Sequence, residues 1–112
     1  VSFPNATPAT PRTIPADEVR PAGAGPFPAV VLMHGCHGVS ASTRQWAAWL
    51  RDHGYVALVV DSWKPRGIRD GCVPGPDIPS TERFDDAIGA LRAGKRRSIM
   101  SAVIKAATLR PS

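Results

Sequence analysis

The stretch Ala29-Val30-Val31-Leu32-Met33-His34-Gly35-Cys36-His37-Gly38 decides how the rest of the chain is read. Its continuous apolar, β-branched start has the length and chemistry of a strand covered on both faces of a parallel sheet. The run stops at His34, where Gly35 and Gly38 permit backbone angles that other residues avoid. In parallel α/β sheets, ligands bind beyond the carboxyl ends of the strands. The polar loop His34–Ser42 is therefore the first candidate for a site.

The sequence on either side supports that reading. Ser42 and Gln45 have capping-box spacing, and Trp46, Trp49, Leu50 and His53 recur at helical intervals. A helix with that apolar face is predicted, with Gly54 ending it in the left-handed cap position. Tyr55-Val56-Ala57-Leu58-Val59-Val60 is a second buried strand that closes at Asp61. Strand, helix and strand at this spacing make a βαβ unit with parallel strands.

Upstream, residues 1–28 hold seven of the twelve prolines. Proline fixes φ and lacks an amide donor, so an extended arm is expected there, with one strand near Ile14–Arg20. Downstream, Ser62–Pro79 reads as a loop. Ser80 then opens a helix whose Phe84, Ala87, Ile88 and Leu91 share one face, with Gly94 as an interruption. Ile99, Met100, Val103, Ile104 and Ala107 predict a second amphipathic helix, from about Ser98 to Leu109.

Composition narrows the function classes. With 112 residues, 43% hydrophobic and 21% charged, the chain is one lean globular unit, not a collagen, a coiled coil or a disulfide scaffold. No apolar run reaches membrane-span length, and no basic–apolar–small leader is visible, which favours a cytoplasmic setting as an expectation. The net charge of +5 is unevenly placed. Residues 1–91 carry eight bases against all nine acids, whereas 92–112 carry six bases and no acid. The cluster Lys95-Arg96-Arg97 therefore reads as a solvated basic tail, and neither a nucleic-acid nor a membrane partner is expected.

Cys36 and Cys72 fit one disulfide or two free thiols equally well. His34, Cys36 and His37, with Cys72 or His53, offer zinc-type donor atoms. Three ligands in four residues are unlike common structural spacings, so no metal site and no cofactor are expected. Cys36 lacks an identifiable acid–His relay, which makes its backbone amide a better functional group than its thiol. Trp46 and Trp49 read as core contacts, and Trp63 as a pocket wall or as packing.

Pro28 through Val39, then Trp46, Leu50, Gly54 through Ser62 and Pro65-Arg66-Gly67, resemble the N-terminal part of a dienelactone hydrolase-type α/β-hydrolase. Arg20 through Pro28 and Arg83, Asp86, Ala87, Ala90 and Leu91 fit the same pattern. The resemblance implies a partial α/β-hydrolase fold: a short parallel sheet with flanking helices and a basic helical tail. It divides the chain into an extended arm (1–13), half of a hydrolase domain (14–91) and a tail outside the family's sequence (92–112). It also implies cleavage of ester or lactone bonds in a small-molecule substrate by a Ser or Cys nucleophile. Cys36 would give its N–H to the oxyanion hole, and His34, Gly35, His37, Gly38, Asp61, Trp63 and Arg66 would line the substrate site. His34 would hold the loop and would not be the general base.

One family feature is missing from the sequence. No Gly-x-[Ser/Cys]-x-Gly occurs in it, and no His or Asp follows Leu91. A truncated or frameshifted half-domain is the expectation, with a catalytically inactive remnant or small interaction domain as the alternative. In the family the strand beside Ala29–Met33 bears the nucleophile; without it, that edge would be bare, and self-association or poor solubility is expected unless the tail helix covers the edge.

Overall fold

The computed structural model describes residues 1–74, 80–96 and 103–108. In chain order they form β1 (Ser2–Pro4), β2 (Thr13–Val19), β3 (Ala29–Met33), α1 (Ala41–Asp52), β4 (Val56–Val60), a 3-10 turn at Lys64–Arg66, α2 (Ser80–Arg96) and β5 (Val103–Thr108). The strands make one five-stranded sheet in the order β1-β2-β4-β3-β5.

The centre of that sheet is the predicted βαβ unit. β3 and β4 run parallel, from Ala29 opposite Val56 to Met33 opposite Val60. Every residue of both strands is buried, as continuous apolar strands covered on two faces should be. Alternate side chains then feed two cores. Val31, Met33, Leu58 and Val60 join Phe3, Ile14 and Ala16 under Ala87, Ala90 and Ala93 of α2. Val30, Leu32, Ala57 and Val59 meet Ala47 and Leu50 of α1 on the other face.

Several sequence expectations are corrected. The sheet is mixed: β2 pairs antiparallel with β4, and β1 antiparallel with β2, so only β4, β3 and β5 are parallel. The arm is therefore tied to the sheet by its own strand. The tail is not a helix over its described part, since Val103–Thr108 is a strand parallel to β3. Val103, Ile104 and Ala107 suit either period, and the open side of β3 supplies hydrogen-bonding groups that a helix could not use. The edge of β3 expected to be bare is thus paired with β5. The other residues of the predicted tail helix lie outside the described residues. Gly94 does not interrupt α2, which runs to Arg96.

Both helix faces are rotated from their expected positions. α1 starts after Ser40, whose N–H donates to Thr43 Oγ1 at 3.3 Å, not after Ser42. Its buried residues are Thr43, Ala47 and Leu50, whereas Trp46 and Trp49 are about half exposed. On α2, Phe84 is exposed and the alanines face the sheet. Small side chains let a helix axis lie close to the sheet, and the bulky ones are left at its rim. Gly54 does take the left-handed position expected of it. Among the described residues, no helix is long and apolar enough to cross a membrane.

Candidate active site

Two loops leave the sheet at the carboxyl ends of β3 and β4 and lock onto each other. The first is a tight turn: Gly38 N–H donates to the Gly35 carbonyl at 3.1 Å, with Cys36 and His37 at its tip. Neither tip residue has positive φ, which is type I turn geometry. Gly38 closes the turn at φ +85°, in the left-handed region where a side chain is strained.

Three successive carbonyls of this loop are held by donors. Arg83 Nη2 donates to the His34 carbonyl at 2.6 Å. The Gly35 carbonyl lies 2.7 Å from His34 Nδ1, besides accepting from Gly38. The Cys36 carbonyl accepts from Trp63 Nε1 at 2.8 Å and from Gly71 N at 2.7 Å. In a trans peptide the N–H points opposite to the carbonyl before it, so each fixed carbonyl also aims an amide. The Cys36 and His37 amides are aimed in this way, and among the described residues neither has an acceptor.

His34 connects the two loops and is fully buried. Its Nε2 lies 3.0 Å from the Ser62 N–H and accepts it, which leaves Nδ1 as the protonated nitrogen that donates to Gly35. Burial lowers its pKa, against the opposing pull of the Gly35 hydrogen bond. With both nitrogens engaged, the imidazole is a neutral brace. Asp61 approaches it only to 4.0 Å. Its Oδ1 instead accepts the Trp63 and Lys64 N–H groups at 3.1 and 2.9 Å, which shapes the turn after β4.

Trp63 and Arg66 are both held by contacts within the protein. Trp63 is 8% exposed and lies edge-on to His34, with the Arg83 guanidinium 4.9 Å over its ring. Gly71 has to be glycine against it, because a Cβ there would sit 2.7 Å from Trp63 Cζ2. Arg66 forms a bidentate pair with Asp86, at 2.7 and 3.1 Å, and both side chains are almost wholly buried. Burial alone would lower the Arg66 pKa, but the hydrogen bonds and charge of Asp86, with Glu82, leave it raised. Among the described residues Arg83 has no such partner, and burial lowers its pKa.

Sequence reasoning missed Asp86, which also accepts from Asn5 Nδ2 at 2.9 Å and so joins arm, loop and helix. An acid in an amphipathic helix gives no sign of a partner 20 residues earlier. His37 remains half exposed at the turn tip, with Nδ1 3.2 Å from Asp70 Oδ1. Cys36 and Cys72 form a disulfide, with Cα atoms 5.0 Å apart. The resulting constellation is a braced turn at a strand end; a recess of about 130 Å³, lined by Asp17, Val39, Arg44, Asp61 and Lys64, opens between β2 and the ends of these loops.

Comparison with known proteins adds one finding. No curated protein matches the chain. The family model of the dienelactone hydrolase family matches residues 14–110, a span that includes the βαβ unit, both loops, α2 and β5. On that match, across most of its length, the chain belongs to the dienelactone hydrolase family.

Proposed function

We propose that this chain builds the oxyanion side of a site that cleaves ester or lactone bonds through a Ser or Cys nucleophile. Cys36 N–H is its first oxyanion donor. The observation that carries this reading is the Cys36 amide itself, unpaired among the described residues and aimed by a carbonyl that two donors hold. Tetrahedral intermediates are stabilised by such preorganised donors, at 2.7–3.1 Å from the developing O⁻, and one donor contributes roughly 10²–10³ in rate. His34 acts as a positioning residue, because its Nδ1–H fixes the peptide plane that carries the donor.

The register of β5 supports the same reading. Thr108 pairs with Met33, so β5 ends beside the start of the His34 loop. In the hydrolase pattern the nucleophile turn follows the strand in that position. The nucleophile, acid and general base are not among these 112 residues, which contain no Gly-x-[Ser/Cys]-x-Gly and no His after His53. The chain alone is therefore expected to be inactive.

The test has two stages. The purified chain is expected to hydrolyse p-nitrophenyl acetate no faster than buffer. Joined after β5 to the nucleophile-bearing remainder of an active family member, it should gain turnover. In that hybrid Cys36→Pro removes the N–H at a turn position where proline is well accommodated, and should lower kcat about 10²–10³-fold. Cys36→Ala keeps the amide and should retain most activity. Equal rates for the two variants would overturn the oxyanion role.

A further inference from the structure

The tip of the first loop carries a second constellation, made of side chains and distinct from the amides. Cys36, His37 and Cys72 bring their sulfur and ring-nitrogen atoms within 4.8 Å of one another. His34 is not a donor to this cluster, because both its nitrogens are engaged inside the protein, so the set is not three ligands within four residues. His53 is removed as well, since it stacks on Trp49 and its Nδ1 lies 2.7 Å from the Trp49 carbonyl. Cys72 instead arrives from the loop after β4, 36 residues along the chain.

Asp70 organises this cluster. Its Oδ1 sits 3.2 Å from His37 Nδ1 and accepts the Cys72 N–H at 2.9 Å. A carboxylate on one ring nitrogen orients the imidazole and leaves the other nitrogen as an electron-pair donor, the support usual behind metal-bound histidines. His37 is 51% exposed, so the ion and its waters can reach it.

We propose that the reduced protein binds one thiophilic divalent ion of the zinc class. The ligands are Cys36 Sγ, Cys72 Sγ and the His37 ring nitrogen not held by Asp70, with water in the fourth position. The disulfide is the oxidised, metal-free form of the same site. A dithiol reductant converts one form into the other: the S–S bond breaks, two electrons and two protons pass to the cysteines, and the reductant leaves as its own disulfide. The divalent ion then replaces the two thiol protons, which go to solvent.

Geometry permits the exchange with little backbone movement. Tetrahedral zinc with Zn–S bonds of about 2.3 Å spaces two sulfurs about 3.8 Å apart, against about 2.05 Å in a disulfide. Side-chain rotation from Cα atoms 5.0 Å apart covers that difference. Two thiolates and an imidazole select zinc over magnesium or calcium, which prefer oxygen ligands. The site uses the Cys36 side chain and leaves its N–H untouched, so it stands or falls independently of the hydrolase reading.

The test uses the full chain and Co²⁺ as a spectroscopic stand-in. After reduction with tris(2-carboxyethyl)phosphine, one Co²⁺ per chain should bind, with thiolate-to-cobalt charge transfer and tetrahedral d–d bands that Zn²⁺ abolishes. The oxidised chain should show neither. Cys72→Ser should remove the charge-transfer band or halve it, and Asp70→Asn should weaken binding about 10–100-fold. His37→Ala, which keeps both cysteines and their disulfide, should weaken it at least tenfold. Three results would overturn the proposal: a reduced chain with two titratable thiols and no cobalt spectrum, the same spectrum from the oxidised chain, or unchanged affinity in His37→Ala.

Discussion

The loops after β3 and β4 begin alike and end differently. Each leaves a fully buried apolar strand through a polar residue, His34 in one case and Asp61 in the other. The loop after β3 is mainly a receiver: its carbonyls accept from Arg83, Trp63 and Gly71, and its amides at Cys36 and His37 have no acceptor among the described residues. The loop after β4 is mainly a supplier. Its indole N–H, the Gly71 amide and the Ser62 amide all point at the first loop, and Arg66 anchors it to α2. The unpaired amides lie on the loop that is held, and most of the donors that hold it come from its neighbour.

The strongest way to break this division is to cut the anchor. Asp86→Ala leaves the buried Arg66 guanidinium with only the longer carboxylate contact to Glu82, and removing one partner of such a pair costs about 3–5 kcal/mol. Urea unfolding should show that loss. Replacing both partners with apolar residues should restore much of it, since a buried pair is often no better than good packing.

Reducing the Cys36–Cys72 disulfide removes the covalent tie between the loops. For a closure of 36 residues it should cost about 2–4 kcal/mol in the same assay, without metal present. A smaller effect is expected at the seam between receiver and supplier. The pKa of His34 is lowered in the folded state, so its contribution to stability is complete above the unfolded value near 6.5 and is lost as pH falls through the lower folded value. Urea midpoints should therefore fall with pH below about 6.5, and less steeply in His34→Gln. The weakest effect should come from a pair outside both loops. Arg44→Ala loses an exposed ion pair with Asp17 and should change stability by less than about 1 kcal/mol.

Local pattern was enough for part of this structure. β3, β4 and the left-handed Gly54 were legible because continuous β-branched runs and a glycine after a helical repeat act through the chain's own backbone. Rotation of the helices was not. Trp46, Trp49 and Leu50 form as good an apolar stripe as Thr43, Ala47 and Leu50, and only the approach of α1 to the sheet selects the second. The strand Val103–Thr108 leaves no local signal for a related reason, since its pairing with β3 joins parts of the chain more than 70 residues apart. At the candidate site, the turn and its glycines were visible in sequence. The contacts of Arg66 and Trp63 were not legible, because their partners, Asp86 and the Cys36 carbonyl, come from distant elements.

Only proline lacks the group that the turn tip presents through its backbone at position 36, so chemistry resting on that amide tolerates almost any side chain there. Under the proposed oxyanion role, the cysteine side chain is thus free to crosslink to Cys72 without disturbing that amide. One residue can then answer to two independent selective pressures, and drift in the crosslink across related proteins need not signal any change in what the turn stabilises.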